Sequence, residues 1–132
     1  MTLVDANVLI DVVAKDSPWL FWSLARLDEA AANGPLLIND VVYAELSVSY
    51  SSVKLLDEVL ESVDIGVAAT PKPALFLAGK AYKRYRAAGG VRTGVLPDFF
   101  IGAHAAVSGL ALITRDPRRY RTYFPTIDLI AP

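Results

Sequence analysis

The chain has 132 residues, of which 54% are hydrophobic and 10% aromatic, with no cysteine and a formal net charge of −1. This composition excludes a disordered chain, disulfides and thiolate metal sites, and the near-neutral charge leaves any nucleic-acid binding to a local basic patch. Residues 1–15 lack a basic leader and no apolar run reaches membrane-spanning length, so we expect one cytoplasmic domain, residues 1–132, with no membrane segment.

Apolar runs alternate with helical patterns in the first half of the chain. Residues 1–4 predict a buried strand, and the stretch "VLIDVVA" predicts a helix after it. Ser17-Pro18 as a start and Gly34-Pro35 as a stop predict a helix over residues 18–33. The core stripe predicted for this helix consists of Leu20, Leu24, Leu27 and Ala31.

The same alternation continues through the rest of the chain. Residues 35–38 predict a strand, Asn39 caps a helix through "VVYAELSVSY", and Ser51 or Ser52 begins another helix. The remaining predicted elements are a strand at 65–69, a helix from Pro71 to Gly89, a helix at 98–108, a strand at 110–114, a helical turn in "DPRRY" and a strand in "IDLI". Together they predict an α/β fold in which helices cover both faces of a mainly parallel sheet of four to five strands.

Four acids stand in apolar surroundings. Asp5 follows "TLV", Glu45 lies within "VVYAELSV", Asp98 precedes "FFI", and Asp116 comes two residues after "ALIT". Each alone has an ordinary explanation as a helix cap or a good helix former. Ligand crevices in parallel α/β sheets lie beyond the carboxyl ends of the strands, where Asp5 and Asp116 fall, so all four are expected to converge on one rim.

Convergence of four carboxylates would be costly. Two like charges about 4 Å apart repel by roughly 4 kcal/mol at an effective dielectric constant near 20. Either some protons stay bound or a divalent cation neutralises the group, and an all-oxygen ligand set favours Mg²⁺ or Mn²⁺ over Zn²⁺. We expect the cation.

The order of these motifs resembles PIN-domain ribonucleases, specifically the VapC-type toxins of bacterial toxin–antitoxin pairs. The resemblance spans nearly the whole chain, although each short motif by itself is common. One departure is Ala6, where related proteins often place Ser or Thr. The residues that carry the resemblance are Asp5-x-Asn7 after the first strand, Glu45 in "YAELS", Asp98 in "LPDFFIGAHA", and Thr114-x-Asp116.

The resemblance implies a PIN-like three-layer α/β/α fold and a metal-dependent endoribonuclease. It further implies structured RNA as the substrate, with transfer RNA ahead of ribosomal RNA, and a homodimer inhibited by a VapB-like antitoxin. The antitoxin would place a helix in an apolar groove, for which Trp19, Phe21 and Trp22 are candidates. The implied catalytic set is Asp5, Glu45, Asp98 and Asp116 as ligands of Mg²⁺ or Mn²⁺, with Asn7 and Thr114 as supporting polar groups.

Two basic clusters are candidates for contacts with RNA. One lies in "GKAYKRYRAAGGVR", where Tyr82 and Tyr85 either stack on bases or belong to the core, and the other adjoins Asp116. The candidate RNA-contacting residues are Arg84, Arg92, Arg115 and Arg119.

Two further polar residues receive structural interpretations. His104 points about 120° away from Asp98 on a helix, which favours a core or interface histidine over a catalytic base. Asp11 is interpreted as an exposed helix acid, with a supporting role behind the site as the alternative.

Other protein classes remain as alternatives. A PIN-like module that binds RNA or protein without cleaving it would be indicated by the loss of one of the four acids, and none is lost. A Mg²⁺-dependent HAD-type phosphatase starts with a D-x-D pair after its first strand, whereas residue 7 is Asn. A receiver domain needs adjacent acids after that strand and a late Lys at a strand end, and "LVDAN" and "TIDLI" supply neither.

Overall fold

Five parallel strands form the centre of the molecule in the computed structural model, which describes residues 1–14, 16–91 and 95–132. The strands are β1 (Thr2–Val4), β2 (Leu36–Asn39), β3 (Ile65–Ala68), β4 (Ala111–Ile113) and β5 (Leu129–Ile130). They lie in the order β3-β2-β1-β4-β5, and each neighbouring pair is parallel. The predicted α/β fold with a sheet of four to five strands is therefore confirmed.

Helices connect the strands. They are α1 (Ala6–Ala14), α2 (Leu20–Asn33), α3 (Asp40–Ser47), α4 (Val53–Ser62), α5 (Lys72–Ala87), α6 (Leu96–Ser108) and α7 (Arg118–Tyr123). The predicted caps at Asn39 and Ser52 are confirmed, because their side-chain oxygens accept hydrogen bonds from the N–H groups of Val42 at 2.9 Å and Leu55 at 3.2 Å. Within the described residues, no helix is both long and apolar enough to cross a membrane.

Helix α2 differs from the sequence prediction. The predicted stripe is correct only in part: Leu27 packs against the core, but Leu24 is 37% exposed and Ala31 is also exposed, whereas Ser23 and Ala30 are buried. Apolar residues occur on several sides of this helix, so periodicity alone did not identify the inner face. The inner face carries the small side chains of Ser23 and Ala30, and Trp22 and Leu27 are partly buried against the core.

Strand order places the ends of β1 and β4 side by side. The chain leaves β1 toward β2 and β3 on one side of the sheet, while β4 and β5 lie on the other. Val4 pairs with Ile113, and both are fully buried. The crevice at such a reversal of strand order is the usual ligand position in open parallel sheets, and Asp5 and Thr114 are the residues that open into it.

Gly102 lets α7 approach α6 closely. A Cβ atom at this position would overlap the ring of Phe124 and would lie 3.0 Å from Cδ1 of Tyr120. The missing side chain therefore allows α7 to pack where Arg119 and Tyr120 reach the crevice.

Candidate functional site

Asp5 occupies the centre of the crevice. Only 5% of this residue is exposed, and its Oδ2 accepts hydrogen bonds from the Thr114 hydroxyl at 2.8 Å and the Tyr120 hydroxyl at 2.9 Å. Burial raises the pKa of Asp5, these two hydrogen bonds lower it, and the charge of Asp116 raises it further. Asp5 is thus fixed in orientation, although its ionised form is disfavoured by its surroundings.

Thr114 joins the two strand ends. Its hydroxyl donates to Asp5 and accepts from the N–H of Asp116 at 3.1 Å and from Nδ2 of Asn7 at 3.5 Å. Asn7 in turn accepts from the N–H of Arg115 at 3.2 Å through its Oδ1. The single donor and both acceptor positions of the Thr114 hydroxyl are in use, so β1, α1 and the segment after β4 are held together.

Glu45 reaches the same region from α3. Its Oε1 is buried and has no hydrogen-bond partner among the described residues. Burial raises the pKa of Glu45 to about 7, and the charges of Asp5 and Asp98 contribute to that rise. A buried oxygen without a donor is rare in folded proteins and is a feature expected of a ligand site.

Asp98 lies in the first turn of α6. Burial, followed by the charge of Asp5, raises the pKa of Asp98 to about 6. Nη1 of Arg119 lies 2.9 Å from its Oδ2 and acts in the opposite direction. Asp98 therefore belongs to the same electrostatic group as Asp5 and Glu45, with one arginine partly neutralising it.

Asp116 is the most exposed of the four acids. Its side chain is 48% exposed, and Arg118 holds its two oxygens with Nε at 3.1 Å and Nη2 at 3.4 Å. The hydrogen bond from Arg118 lowers the pKa of Asp116. Its charge nevertheless raises the pKa values of Asp5 and Asp98, so it faces them.

The structure brings all six residues predicted for the catalytic site into one region. Hydrogen bonds connect four of them, and mutual repulsion of charge connects the four acids. They are Asp5, Asn7, Glu45, Asp98, Thr114 and Asp116.

The donor set fits a hard divalent cation. Four carboxylates supply oxygen ligands alone, burial and then neighbouring acids raise the pKa values of Glu45 and Asp98, and Glu45 Oε1 has no hydrogen-bond partner among the described residues. Within residues 1–14, 16–91 and 95–132, however, no three Asp, Glu or His side chains are arranged as a group that could hold a metal ion. Arg118 and Arg119 occupy the carboxylates of Asp116 and Asp98, so an ion would have to displace these guanidinium groups.

A basic depression of about 280 Å³ adjoins the acids. Its lining comprises Tyr85, Asp116, Arg118, Arg119, Thr122 and Tyr123. The guanidinium of Arg119 also lies 5.8 Å from the ring centroid of Tyr85, which is a cation–π distance.

The other predicted RNA-contacting arginines have different positions. Arg84 is exposed on α5, and Arg92 lies outside the described residues. The side chain of Arg115 contacts Asp11 and the ring of Trp19, not one of the four site acids.

Tyr82 and Tyr85 contribute to an aromatic cluster in the interior. Their rings stack on each other at 6.0 Å, and both contact Phe99. Tyr85 also meets Tyr123 edge-on at 6.0 Å. Of the two alternatives given for Tyr82 and Tyr85, base stacking or core packing, core packing is therefore confirmed.

His104 belongs to the core, as its position on the helix predicted. It is 4% exposed, and its Nδ1 lies 3.3 Å from Nδ2 of Asn39. Burial lowers the pKa of His104. Because Asn39 also caps α3, this contact connects the helix that carries Glu45 with the helix that carries Asp98.

Sequence reasoning missed two residues. The interpretation of Asp11 as an exposed acid is wrong, since it is 2% exposed, and Tyr120, a donor to Asp5, was not singled out. A signal for Asp11 was available: it follows Asn7 by four residues, so both lie on one face of α1, and its neighbours Ile10 and Val12 are apolar. Tyr120 gave no comparable signal, because its donor role depends on the packing of α7.

Apolar side chains remain exposed around α1 and the start of α2. Phe21 is 84% exposed, Val13 47%, Ile10 42% and Trp19 36%. A groove of about 140 Å³ lies beside them between α1 and α3. Its lining comprises Ile10, Val13, Ala14, Leu46, Ser49 and Tyr50.

Comparisons with known proteins identify one family model and several structures of similar fold. A family model described as "PIN domain" matches residues 2–125. The fold is similar to a chain in the structure of VapBC2 from Rickettsia felis bound to a DNA fragment from its promoter, with a TM-score of 0.73 and 16% identity over 98% of this chain and 97% of that one. It is also similar to a chain of VapBC-1 from nontypeable Haemophilus influenzae, with a TM-score of 0.73 and 17% identity over 98% and 96% of the two chains.

A third similar structure is DNA-bound VapBC from Salmonella typhimurium, with a TM-score of 0.72 and 18% identity over 99% of this chain and 98% of that one. No curated protein matches the sequence. The three structural matches show a shared fold over essentially the whole length of both chains in each pair.

Proposed function

The chain belongs to the PIN-domain family, and on this premise we propose that it is a metal-dependent endoribonuclease acting as the toxin of a toxin–antitoxin pair. The observation that carries this proposal is the group of four acids at the reversal of strand order, in which Glu45 Oε1 is buried without a partner and the pKa values of Glu45 and Asp98 are raised. A PIN assignment also argues against the HAD-type phosphatase considered above.

Asp5, Glu45, Asp98 and Asp116 would hold Mg²⁺ or Mn²⁺. When bound, the ion would supply a water of lowered pKa in line with the scissile phosphate and would offset the charge that develops on the phosphoryl oxygens. Thr114 and Tyr120 keep Asp5 in one orientation through their hydrogen bonds to Oδ2. Asn7 holds the backbone of Arg115, and with it the segment that leads to Asp116.

Arg118 and Arg119 are suited to deliver the RNA. Both now pair with site acids, and both line the depression beside the site. Guanidinium groups bind phosphates bidentately, and these two would be released for such contacts if Asp98 and Asp116 held a cation. Arg84, exposed on α5, would extend this contact along the RNA. Transfer RNA remains the first candidate substrate, on family likeness.

A VapB-like antitoxin would bind on the apolar surface of α1 and α2. Exposed Ile10, Val13 and Phe21 provide the area, and the groove beside them offers a seat for the apolar face of a partner helix. The similar structures named above are of VapBC complexes, which agrees with this partner class. A homodimer and a cytoplasmic location belong to the same proposal.

A cleavage assay with purified protein tests the nuclease proposal. We expect cleavage of structured RNA that stops in EDTA, returns with Mg²⁺ or Mn²⁺, and is lost in Asp5→Ala and Asp98→Ala while circular dichroism shows an intact fold. Asp28→Asn, which changes an exposed acid of α2, is the matched control and should cleave normally. Products with a 5′-phosphate and a 3′-hydroxyl support attack by water, whereas a cyclic phosphate would contradict it.

Expression in cells tests the toxin role and its partner together. The wild-type chain should arrest growth when produced alone and should not do so when produced with the product of the neighbouring gene. Asp98→Asn should leave growth unaffected in both cases. Arrest by Asp98→Asn equal to that of wild type would remove the catalytic explanation.

A non-cleaving RNA- or protein-binding PIN module is the second candidate. It is favoured by the arginine pairs on Asp98 and Asp116 and by the absence, among the described residues, of a ready group of three metal ligands. Gel-shift measurements separate the two functions, because the module would bind RNA equally well with EDTA or Mg²⁺ and would leave its length unchanged.

A further inference from the structure

Asp11 is a buried carboxylate outside the group of four acids. It lies on α1 and is 2% exposed. Its Oδ1 accepts from the Ser17 hydroxyl at 2.8 Å, and its Oδ2 accepts from the Ser23 hydroxyl at 2.9 Å. A buried carboxylate is tolerated only when it is paired and hydrogen-bonded, and both oxygens of Asp11 have such partners.

Arg115 supplies the positive charge. Its Nε lies 2.5 Å from Asp11 Oδ2, but the N–H is not aligned for a hydrogen bond, so the contact is an ion pair by charge and distance. The guanidinium carbon also lies 5.7 Å from the ring centroid of Trp19. Asp11 and Trp19 therefore hold this side chain between α1 and the start of α2.

The backbone of Arg115 is held to α1 as well. Its N–H donates to Oδ1 of Asn7 at 3.2 Å, one turn before Asp11 on the same helix. Arg115 stands directly between Thr114, whose hydroxyl contacts Asp5, and Asp116. Both the main chain and the side chain of Arg115 thus anchor the segment that carries two groups of the site.

We propose that Asp11 is a positioning residue that, through Arg115, fixes the segment Thr114–Asp116 in the geometry with which the acids bind a divalent cation. Arg115 differs in this from Arg118 and Arg119, whose side chains pair with the site acids themselves. The metal part of this inference rests on the proposed function, whereas the anchoring of the segment does not.

Amide hydrogen exchange measured by NMR tests the anchoring without metal. In Asp11→Asn, the amides of Arg115 and Asp116, which donate to Asn7 and Thr114, should exchange about tenfold faster than in wild type. Amides in the core of α5 should keep their rates, and the control Asp28→Asn should change neither set. Unchanged exchange at residues 115 and 116 in Asp11→Asn would overturn the proposal.

Titration with Mn²⁺ alone, with free Mn²⁺ measured by EPR, tests the consequence for the site. Asp11→Asn should weaken Mn²⁺ binding by about 10- to 100-fold, the range typical of residues that orient metal ligands from behind, while Asp28→Asn binds as wild type does. Wild-type affinity in Asp11→Asn would overturn the link to the site. If the wild-type protein bound no Mn²⁺, the metal-dependent function would fail, and amide exchange would still decide whether Asp11 anchors the segment.

The double variant Asp11→Asn/Arg115→Met separates positioning from stability. Removing both partners leaves no unpaired buried charge, so its Tm should recover relative to Asp11→Asn. Mn²⁺ affinity should stay as weak as in the single variant, because the anchor is still missing. Recovery of wild-type Mn²⁺ affinity together with Tm would show a merely structural role and would overturn the proposal.

Discussion

Two carboxylates, Asp11 on α1 and Glu45 on α3, have opposite surroundings. Asp11 has a hydroxyl donor at each oxygen and an arginine beside one of them. Glu45 has a buried oxygen without a partner among the described residues and neighbours of like charge. The carboxylate of Asp11 is therefore stabilised by its neighbours, whereas the charge of Glu45 is disfavoured by its surroundings.

The largest expected effect is the loss of stability when the carboxylate of Asp11 is removed. Asp11→Ala should lower the free energy of unfolding by about 3 kcal/mol, because it leaves Arg115 without its ion-pair partner and two serine hydroxyls without their acceptor. Urea denaturation measures this change. Asp28→Ala, at an exposed position of α2, should stay within about 0.5 kcal/mol of wild type. A loss for Asp11→Ala no larger than that of Asp28→Ala would remove the contrast on which this comparison depends.

Glu45→Gln should raise the free energy of unfolding in EDTA, in contrast to the loss expected for Asp11→Ala. The pKa of Glu45 is raised from 4.5 to about 7, so the folded protein binds this proton more tightly than the unfolded chain does. The contribution of Glu45 to the free energy of unfolding is therefore greatest below pH 4.5 and is lost as the pH rises through about 7. Asp98, raised from 3.8 to about 6, contributes with the same sign over its own range.

At pH 8, Glu45→Gln should gain about 1 to 2 kcal/mol over wild type, after allowance for partial solvent exposure. Denaturation curves collected between pH 4 and pH 8 should show a smaller decline for the variant. Destabilisation of Glu45→Gln at pH 8 would mean that the carboxylate has a structural partner, and the comparison with Asp11 would then fail.

Tyr120→Phe tests Asp5, which shares features of both Asp11 and Glu45. Asp5 is fixed by two hydroxyl donors, yet burial raises its pKa. The variant should lose about 1 kcal/mol, the usual value of one hydrogen bond, since Thr114 still donates to the same oxygen. Thermal unfolding at pH 7 measures the loss. A loss close to that of Asp11→Ala would show that Asp5 depends on its hydrogen bonds as strongly as Asp11 does.

Arg118→Gln should have the smallest effect. Its ion pair with Asp116 is largely exposed, with side-chain exposures of 84% and 48%, and surface pairs of this kind contribute little. The Tm should be unchanged within error at both low and high salt. A clear drop in Tm at low salt would show that Asp116 depends on this arginine for its place in the fold.

Much of the site was readable from the sequence because it follows strand ends. Asp5 and Asp116 come just after apolar runs, and a parallel sheet gathers its carboxyl ends at one edge, so convergence followed from local patterns. Asp11 shows where such reasoning stops. Its partners Ser17, Ser23 and Arg115 come from α2 and from beyond β4, and only the packed structure brings them to α1.

The sequence did not identify the inner face of α2 correctly, for a related reason. Its leucines suggested a stripe, but of these Leu27 packs against the core, and the buried positions of the helix are Ser23 and Ala30. Periodicity ranks faces by apolar character, whereas close approach of two helices also selects for small side chains. Tyr120 was equally hidden, because its hydroxyl reaches Asp5 only after α7 packs over Gly102.

The pairing of β1 with β4 also governs when the site can first exist during synthesis on the ribosome. Residues 2–4 emerge early, but their neighbour at residues 111–113 and the donors Thr114 and Tyr120 are translated more than a hundred residues later. A nascent chain therefore carries Asp5 without the partners that orient it until the end of the fold has left the ribosome.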